Sequence, residues 1–145
     1  MNIVVIPCFD RPEFLHVTLE LITKADNYKD YLYLFQLDYG FDLKNIEVID
    51  NFDAIKVINR TKFTGYREGK QSYNVLSGLI TAAQHTKELV FLIEDDVFIG
   101  KDYFTFHEDL HKKEKDIFFC KGPIHTILLI SFCSRLIMRF SSLEI

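Results

Sequence analysis

The sequence predicts an α/β fold in which helices flank a mostly parallel sheet. Short apolar runs such as Ile3–Pro7 and Leu89–Ile93 are continuously hydrophobic, which is typical of strands that are buried on both faces of a parallel sheet. Segments with apolar residues at helical spacing separate these runs, and strands that alternate with helices are typical of α/β proteins. Polar residues follow several runs directly, at the positions where such sheets bind ligands.

Five strands are predicted from the apolar runs. In chain order they are Ile3–Pro7, Tyr31–Leu37, Ile55–Ile58, Leu89–Ile93 and Ile117–Cys120. Proline stops the first, and Asp38-Tyr-Gly40 is a turn signal that ends the second. The chain therefore supplies enough strands for one sheet.

Four helices are predicted from apolar residues at three- and four-residue spacing. Their apolar positions span Phe14–Ile22, Leu43–Phe52, Leu76–Ala83 and Tyr103–Leu110. The first helix is expected to begin at Asp10–Glu13, where an acid precedes Glu13 by three residues and Pro12 lies in the first turn.

A polar loop is predicted at Arg60–Gln71, between the third strand and the third helix. It contains G-Y-R-E-G-K-Q-S, which imitates a phosphate-binding P-loop but has one residue too few between the glycines, and a glutamine where the Mg²⁺-binding hydroxyl belongs. We therefore reject a Walker motif. Lys62, Arg67 and Lys70 remain candidates for binding a diphosphate, with a solvated basic loop as the simpler interpretation.

Length and composition indicate one soluble globular domain or part of one. The chain has 145 residues, of which 48% are hydrophobic and 26% charged. The net charge of −4 argues against nucleic acid as a partner. Cys8, Cys120 and Cys133 form no C-x-x-C pair, which argues against a disulfide framework or a structural zinc site. Cys8 is interpreted as a small buried residue.

The two ends of the chain carry further expectations. The apolar start at Ile3 lacks a basic segment and a cleavage site, so no secretory signal is predicted and a cytoplasmic location is expected. Charged residues become sparse after residue 116. The segment I-H-T-I-L-L-I-S-F-C-S-R-L-I-M-R-F has no clear period, is somewhat short for a membrane span of about 20 residues, and contains two arginines. We predict one domain at 1–120 and an atypical, truncated or altered end at 121–145.

Three consecutive acids, Glu94, Asp95 and Asp96, follow the fourth predicted strand. Neighbouring carboxylates repel and are costly to bury without a partner, but they suit Mg²⁺ or Mn²⁺ shared with substrate phosphates. An ordinary acidic loop is the alternative interpretation. Asp38, at the end of another strand, favours the interpretation as a cation site. Receiver domains and aspartate-nucleophile phosphatases are excluded, because they need their acids after the first strand, where Cys8 and Phe9 stand.

The fourth predicted helix contains His107-Glu-Asp-Leu-His111, which satisfies the H-E-x-x-H pattern of zinc peptidases. A catalytic zinc site needs a third ligand; Glu114, His125 and Glu144 lie downstream, but no Gly-x-x-His continuation follows. The helix runs into a charged segment that resembles a solvent-facing surface, so we interpret the pattern as a chance match.

Four segments together resemble the GT-A glycosyltransferases, and most closely the β-1,2-N-acetylglucosaminyltransferases related to N-acetylglucosaminyltransferase I. They are V-V-I-P-C-F-D-R-P-E-F-L, F-Q-L-D-Y-G, K-F-T-G-Y-R-E-G-K-Q-S-Y-N-V-L and L-V-F-L-I-E-D-D-V-F-I-G-K-D-Y-F-T-F, in the family's order. The resemblance covers Ile3 to about Cys120, which is the nucleotide-sugar-binding half of that fold.

The resemblance implies a role for each candidate residue. Arg11 and Asp38 would hold the uridine part of a UDP-sugar donor. Glu94 and Asp95 would contact the ribose and the sugar, and Asp96 would bind Mn²⁺, or Mg²⁺, on the diphosphate. Apart from the resemblance, Arg67 of the basic loop is retained as a candidate contact to the diphosphate of the donor. The implied donor is UDP-N-acetylglucosamine, and the implied acceptor is a hydroxyl of a saccharide or glycan.

Two departures from the family pattern define the competing hypotheses. Ser72 stands where the family has a histidine in the donor site, and the acceptor half and the catalytic base fall downstream of the resemblance, so the catalytic residues are unknown. The leading hypothesis is a metal-dependent glycosyltransferase. The alternative is an inactive, truncated fragment that binds the nucleotide-sugar alone, and a zinc peptidase ranks third.

Overall fold

The computed structural model describes residues 1–50, 52, 54–59, 62, 65, 67–113 and 129–131, and the side chains of all these except 67, 68 and 129–131. Its strands are β1 (Ile3–Cys8), β2 (Leu32–Leu37), β3 (Ala54–Ile58), β4 (Leu89–Leu92) and β5 (Leu129–Ser131). Its helices are α1 (Pro12–Lys24), α2 (Lys44–Ile49), α3 (Arg67–His85) and α4 (Tyr103–Lys113), with a short 3₁₀ helix at Tyr28–Asp30.

The strands form one sheet in the order β3-β2-β1-β4-β5. The first four are parallel, and β5 pairs with β4 in the antiparallel direction. The order reverses at β1, because β2 lies on one side of it and β4 on the other. In α/β sheets, such a reversal opens a crevice at the carboxyl ends of the two strands that diverge, and ligands bind there.

Both faces of the sheet are covered, which explains the continuous apolar runs. One face packs against α1, α2 and α4, in a core that includes Val4, Ile6, Leu15, Leu19, Ile22 and Phe104. The opposite face packs against α3, in a core that includes Ile3, Val5, Leu34, Leu79, Ala82 and Val90. Alternate residues of β1 thus serve opposite layers, as the twofold repeat of a strand requires.

The structure confirms the predicted fold class and corrects two local predictions. The segment Arg67–Gln71 is not a loop but the start of α3, since most of its residues favour helix despite Gly69. The first helix does begin within Asp10–Glu13, but Arg11 is its N-cap residue and no side chain caps it, so the acid at Asp10 does not act as a cap. Pro12 does open the helix, as predicted. The predicted strand Ile117–Cys120 lies outside the described residues.

The 121–145 segment is described only at β5, so the predicted boundary near residue 120 stays a prediction. Across the described part of the chain, no helix combines the length and the hydropathy needed to cross a membrane.

Gly78 allows α3 to approach the sheet closely. A Cβ atom at this position would lie 2.8 Å from Val5 Cγ1 and 3.2 Å from Gln36 Cβ. Glycine to alanine normally stabilises a helix interior by about 1 kcal/mol, but overpacking costs about 1–3 kcal/mol. We expect Gly78→Ala to lower the free energy of unfolding by about 1 kcal/mol in urea denaturation. Ser77→Ala, at the partly exposed neighbouring position, is the control, and a more stable Gly78→Ala variant would contradict this packing.

Candidate ligand site at the carboxyl ends of the strands

A cavity of about 270 Å³ lies at the carboxyl ends of β1, β2 and β4. Charged side chains dominate its wall: the carboxylates of Asp10, Asp38, Glu94, Asp95 and Asp96, and the cations of Arg11 and Lys70. Residues from the first turns of α3, Gln71 and Asn74 among them, complete the described wall. The cavity therefore occupies the crevice where the strand order reverses.

The loop after β4 presents its three acids at different depths. The side chain of Asp95 is only 4% exposed, whereas that of Asp96 is 34% exposed and Glu94 is half-buried. Thr18, fully buried on α1, donates a hydrogen bond to the backbone oxygen of Asp95 at 3.0 Å. The loop is thus fixed to the first helix, so the exposed carboxylate of Asp96 has a defined position.

Arg11 joins two of these acids across the crevice. Its Nη2 donates to Asp95 Oδ1 at 2.7 Å, and its Nη1 donates to Asp96 Oδ2 at 2.5 Å. Two nitrogens on two carboxylates make a charge-assisted clamp, which is stronger than a single neutral hydrogen bond. The clamp connects the tip of β1 to the tip of β4.

Ionising the buried acids still costs free energy despite this clamp. Burial raises the pKa of Asp95 from 3.8 to about 6, although Arg11 and the backbone of Phe9 act in the opposite direction. This shift corresponds to about 3 kcal/mol against the ionised form. Burial, and then Asp96, also raise the pKa of Glu94. The loop therefore favours additional positive charge beside it.

Asp38 forms the second polar centre, at the tip of β2. The backbone N–H of Tyr39 donates to its Oδ1 at 2.7 Å, and the Lys70 ammonium lies 3.5 Å from its Oδ2. Gly40, with a φ of +76°, completes the turn, because glycine adopts this conformation without strain. The same Lys70 ammonium lies over the Phe9 ring, 3.6 Å from its centroid, in a cation–π contact.

Two buried asparagines support the cavity and were not predicted. Asn74 of α3 donates to the backbone oxygen of Gln36 at 3.0 Å, and Asn45 donates to that of Phe9 at 2.8 Å. Asn74 itself lines the cavity, and Asn45 fixes the backbone of Phe9, another residue of the cavity wall. The signal in the sequence that could have identified them is a polar residue on a helix face whose other residues pack against the core.

The structure brings most of the candidate residues together. Arg11, Asp38, Glu94, Asp95 and Asp96 all line the cavity. The side chain of Arg67 lies outside the described residues, although its backbone begins α3. Lys62 is exposed and does not line the cavity, whereas Lys70 does.

A metal ion would have to share its coordination with a ligand. No group of three or more His, Cys, Asp or Glu side chains in the described ranges is arranged to hold a metal by itself. Asp96 offers one partly exposed carboxylate at the cavity. Mg²⁺-type ions are commonly held by one or two carboxylates together with substrate phosphates. The donor set therefore fits a cation that binds with a diphosphate.

The H-E-x-x-H pattern lies on α4 and has a structural role. Glu108 accepts hydrogen bonds of 2.7 Å from Asn2 Nδ2 and from the Tyr31 hydroxyl. These partners precede β1 and β2, so Glu108 is held at the amino edge of the sheet, away from the cavity. His107 is buried against aromatic rings, and burial lowers its pKa. The contacts of Glu108 thus tie α4 to the amino ends of β1 and β2.

Comparison with solved structures finds glycosyltransferases with GT-A-like folds. A mannosyltransferase from Pyrobaculum calidifontis, in complex with GDP-Man and Mn²⁺, superposes with a TM-score of 0.63 and 14% identity over 96% of this chain and 46% of its own. TarS from S. aureus, in complex with UDP, gives 0.57 and 15% over 79% of this chain and 32% of its own.

An active-site mutant of LgtC gives a TM-score of 0.55 and 14% identity over 90% of this chain and 57% of its own. The chain thus spans about a third to somewhat over half of the length of these structures. No protein-family model matches the sequence, and no curated protein matches it. At these identities the likeness shows a shared α/β fold.

Proposed function

We propose that the chain forms the donor-binding part of a metal-dependent GT-A-type glycosyltransferase. The donor is a UDP-sugar, UDP-N-acetylglucosamine by resemblance, and the acceptor is a saccharide hydroxyl. The observation that carries this proposal is the convergence of Arg11, Asp38 and Glu94–Asp96 around one cavity, at the strand reversal of a GT-A-like sheet. The mannosyltransferase and TarS structures, which hold nucleotides, support the same use of the fold.

Each side chain has a role in this proposal. Asp96 holds Mn²⁺ or Mg²⁺, which when bound stabilises negative charge on the leaving diphosphate as a Lewis acid. Arg11, to which the resemblance gave the uridine part, is instead proposed to bind anionic oxygens of the donor, because it lies beside Asp96. Arg67 at the start of α3 is a further candidate for the same task. Glu94 accepts hydrogen bonds from ribose or sugar hydroxyls. Asp95, to which the resemblance gave a contact with the ribose and sugar, is only 4% exposed and is instead proposed to hold Arg11 in position.

Asp38 favours uracil over guanine. The Watson–Crick edge of guanine presents two adjacent donors, N1–H and N2–H, which need both oxygens of a carboxylate. Here Oδ1 already accepts the Tyr39 N–H, and Oδ2 faces the Lys70 ammonium. The acceptor capacity that remains on Asp38, beside the Lys70 ammonium as a donor, instead matches uracil, whose single N–H is flanked by two carbonyl oxygens. The site is therefore proposed to select UDP.

We expect UDP to bind at least about tenfold more tightly than GDP in the presence of Mn²⁺, as measured by calorimetry. A carboxylate that hydrogen-bonds the base discriminates strongly. Asp38→Asn should therefore weaken UDP binding by about tenfold or more and reduce the preference over GDP. Asp42→Asn, in the same loop but outside the cavity wall, is the matched control. Equal affinity for the two nucleotides would contradict the uracil assignment.

Transfer is tested separately from binding. Hydrolysis of UDP-N-acetylglucosamine, or sugar transfer to a saccharide, would identify the chain as an active enzyme. Binding of UDP without either reaction would favour the alternative, a nucleotide-sugar-binding fragment without catalytic activity.

A further inference from the structure

We propose that Arg11 is an exchangeable counter-ion that makes the binding of the divalent cation and of the donor diphosphate interdependent. This inference rests on the proposed function, since it concerns the same cavity. It adds that neither ligand binds well alone. The cation needs Asp96 and the diphosphate needs Arg11, and these two side chains are already paired with each other.

The two arms of the Arg11 clamp differ in accessibility. The arm to Asp95 ends on a carboxylate that is only 4% exposed, whereas the arm to Asp96 joins side chains that are 41% and 34% exposed. Ion pairs that water and ligands reach are weak and readily replaced. The buried arm therefore keeps the guanidinium at the cavity while the exposed arm is open to exchange.

The Arg11–Asp96 ion pair contains the side chain that each of the two ligands would bind. Asp96 is the carboxylate proposed for the cation, and it accepts a hydrogen bond from Arg11. Arg11 is the guanidinium proposed for the diphosphate, and it donates to Asp96. A cation that arrives alone must displace the guanidinium of Arg11 from Asp96. A diphosphate that arrives alone must separate the same guanidinium from the Asp96 carboxylate.

The remaining charges of the cavity do not relieve this competition. The second cation of the described wall, Lys70, is already held by Asp38 and by the Phe9 ring. Five carboxylates face these two cations, so a diphosphate without a metal enters an excess of negative charge. With both ligands bound, the carboxylate of Asp96 would hold the cation and the guanidinium of Arg11 would hold the phosphates, so neither of these two groups would lose its partner.

Linkage makes the consequence measurable. If the diphosphate strengthens cation binding, the cation must strengthen diphosphate binding by the same factor, typically about 5- to 150-fold. A metal that bridges to the diphosphate would also produce such coupling without Arg11. The distinguishing quantity is therefore the affinity for Mn²⁺ in the absence of nucleotide, which Arg11 should lower.

The test measures free Mn²⁺ by electron paramagnetic resonance, in titrations of the whole chain with and without UDP. For the wild type we expect weak binding of Mn²⁺ alone and at least about tenfold tighter binding with UDP. Arg11→Gln should bind Mn²⁺ alone several-fold more tightly than the wild type, and its gain from UDP should shrink. Arg11→Lys, which keeps the charge but loses the two-armed geometry, should lie between them.

The control is Lys24→Gln, which removes an exposed ion pair with Glu20 on the same helix and should change neither affinity. Wild-type or weaker affinity of Arg11→Gln for Mn²⁺ alone would overturn the proposal. If thermal melting shows that this variant does not fold, Arg11→Lys decides, and unchanged Mn²⁺ affinity would overturn it equally. A wild type that binds no UDP at any Mn²⁺ concentration would instead reject the proposed function, while the comparison without nucleotide still tests the competition.

Discussion

Replacing Asp96 with asparagine is expected to weaken UDP binding in the presence of Mn²⁺ by about a hundredfold, because the cation loses its protein carboxylate. Removing even a residue that only orients a metal ligand by a hydrogen bond lowers metal affinity by about 10- to 100-fold. An amide oxygen is a poorer ligand for a hard cation than a carboxylate. Since Asp96 is partly exposed, the fold should tolerate the change. Calorimetric titration with UDP measures the effect.

The weakening of UDP binding by Asp96→Asn should disappear or reverse when the metal is removed. With a chelator present, Asp96→Asn loses one negative charge from the cavity and releases one arm of Arg11, so UDP should bind at least as well as it does to the wild type. Asp109→Asn, at an exposed position on α4, is the matched control for a lost carboxylate. Equal UDP affinity of Asp96→Asn and wild type in Mn²⁺ would rule out the assigned metal ligand.

Replacing Phe91 with alanine is expected to lower the free energy of unfolding by about 3–5 kcal/mol, the usual cost of emptying a buried phenylalanine site. Phe91 is fully buried on β4. Its ring packs within 5.4–6.5 Å, between ring centroids, of four aromatic neighbours, Tyr31, Tyr103, Phe104 and His107. The substitution would leave a cavity between β4, α4 and Tyr31, the residue that directly precedes β2.

The loss is large relative to the total stability of a typical domain, which is about 5–15 kcal/mol. Urea denaturation should therefore show a much lower midpoint for Phe91→Ala. Phe98→Ala removes the same atoms from a side chain that is 68% exposed and should change the stability by less than about 1 kcal/mol. Similar losses for the two variants would show that the aromatic core is not organised as described.

The fold class was predictable because burial on both faces leaves a direct trace in the sequence. Strands such as β1 must be apolar at successive positions, since alternate residues enter different cores. The apolar spacing of α1 and α4 was likewise sufficient to predict these helices. The start of α3 was not predictable, because Gly65 and Gly69 suggested a loop, whereas the helix begins at Arg67.

The site was predictable as a set of residues but not as a set of contacts. Strand tips identified Asp38 and the Glu94–Asp96 acids, since parallel strands end at the same edge. The pairing of Arg11 with Asp95 and Asp96 spans 84 and 85 residues of sequence. No local pattern specifies which acid receives the guanidinium, because only the packing of β1 beside β4 brings them together. The position of Lys70 over Phe9 depends on α3 in the same way.

The most direct test of the proposed donor site is calorimetric titration of the wild-type chain with UDP, once in Mn²⁺ and once in a metal chelator. We expect saturable binding with one site per chain in Mn²⁺ and binding at least about tenfold weaker in the chelator. The reason is that Asp96 and Arg11 would leave each other for the cation and the diphosphate, respectively. Absence of UDP binding in both conditions would contradict a donor site at the carboxyl edge of this sheet.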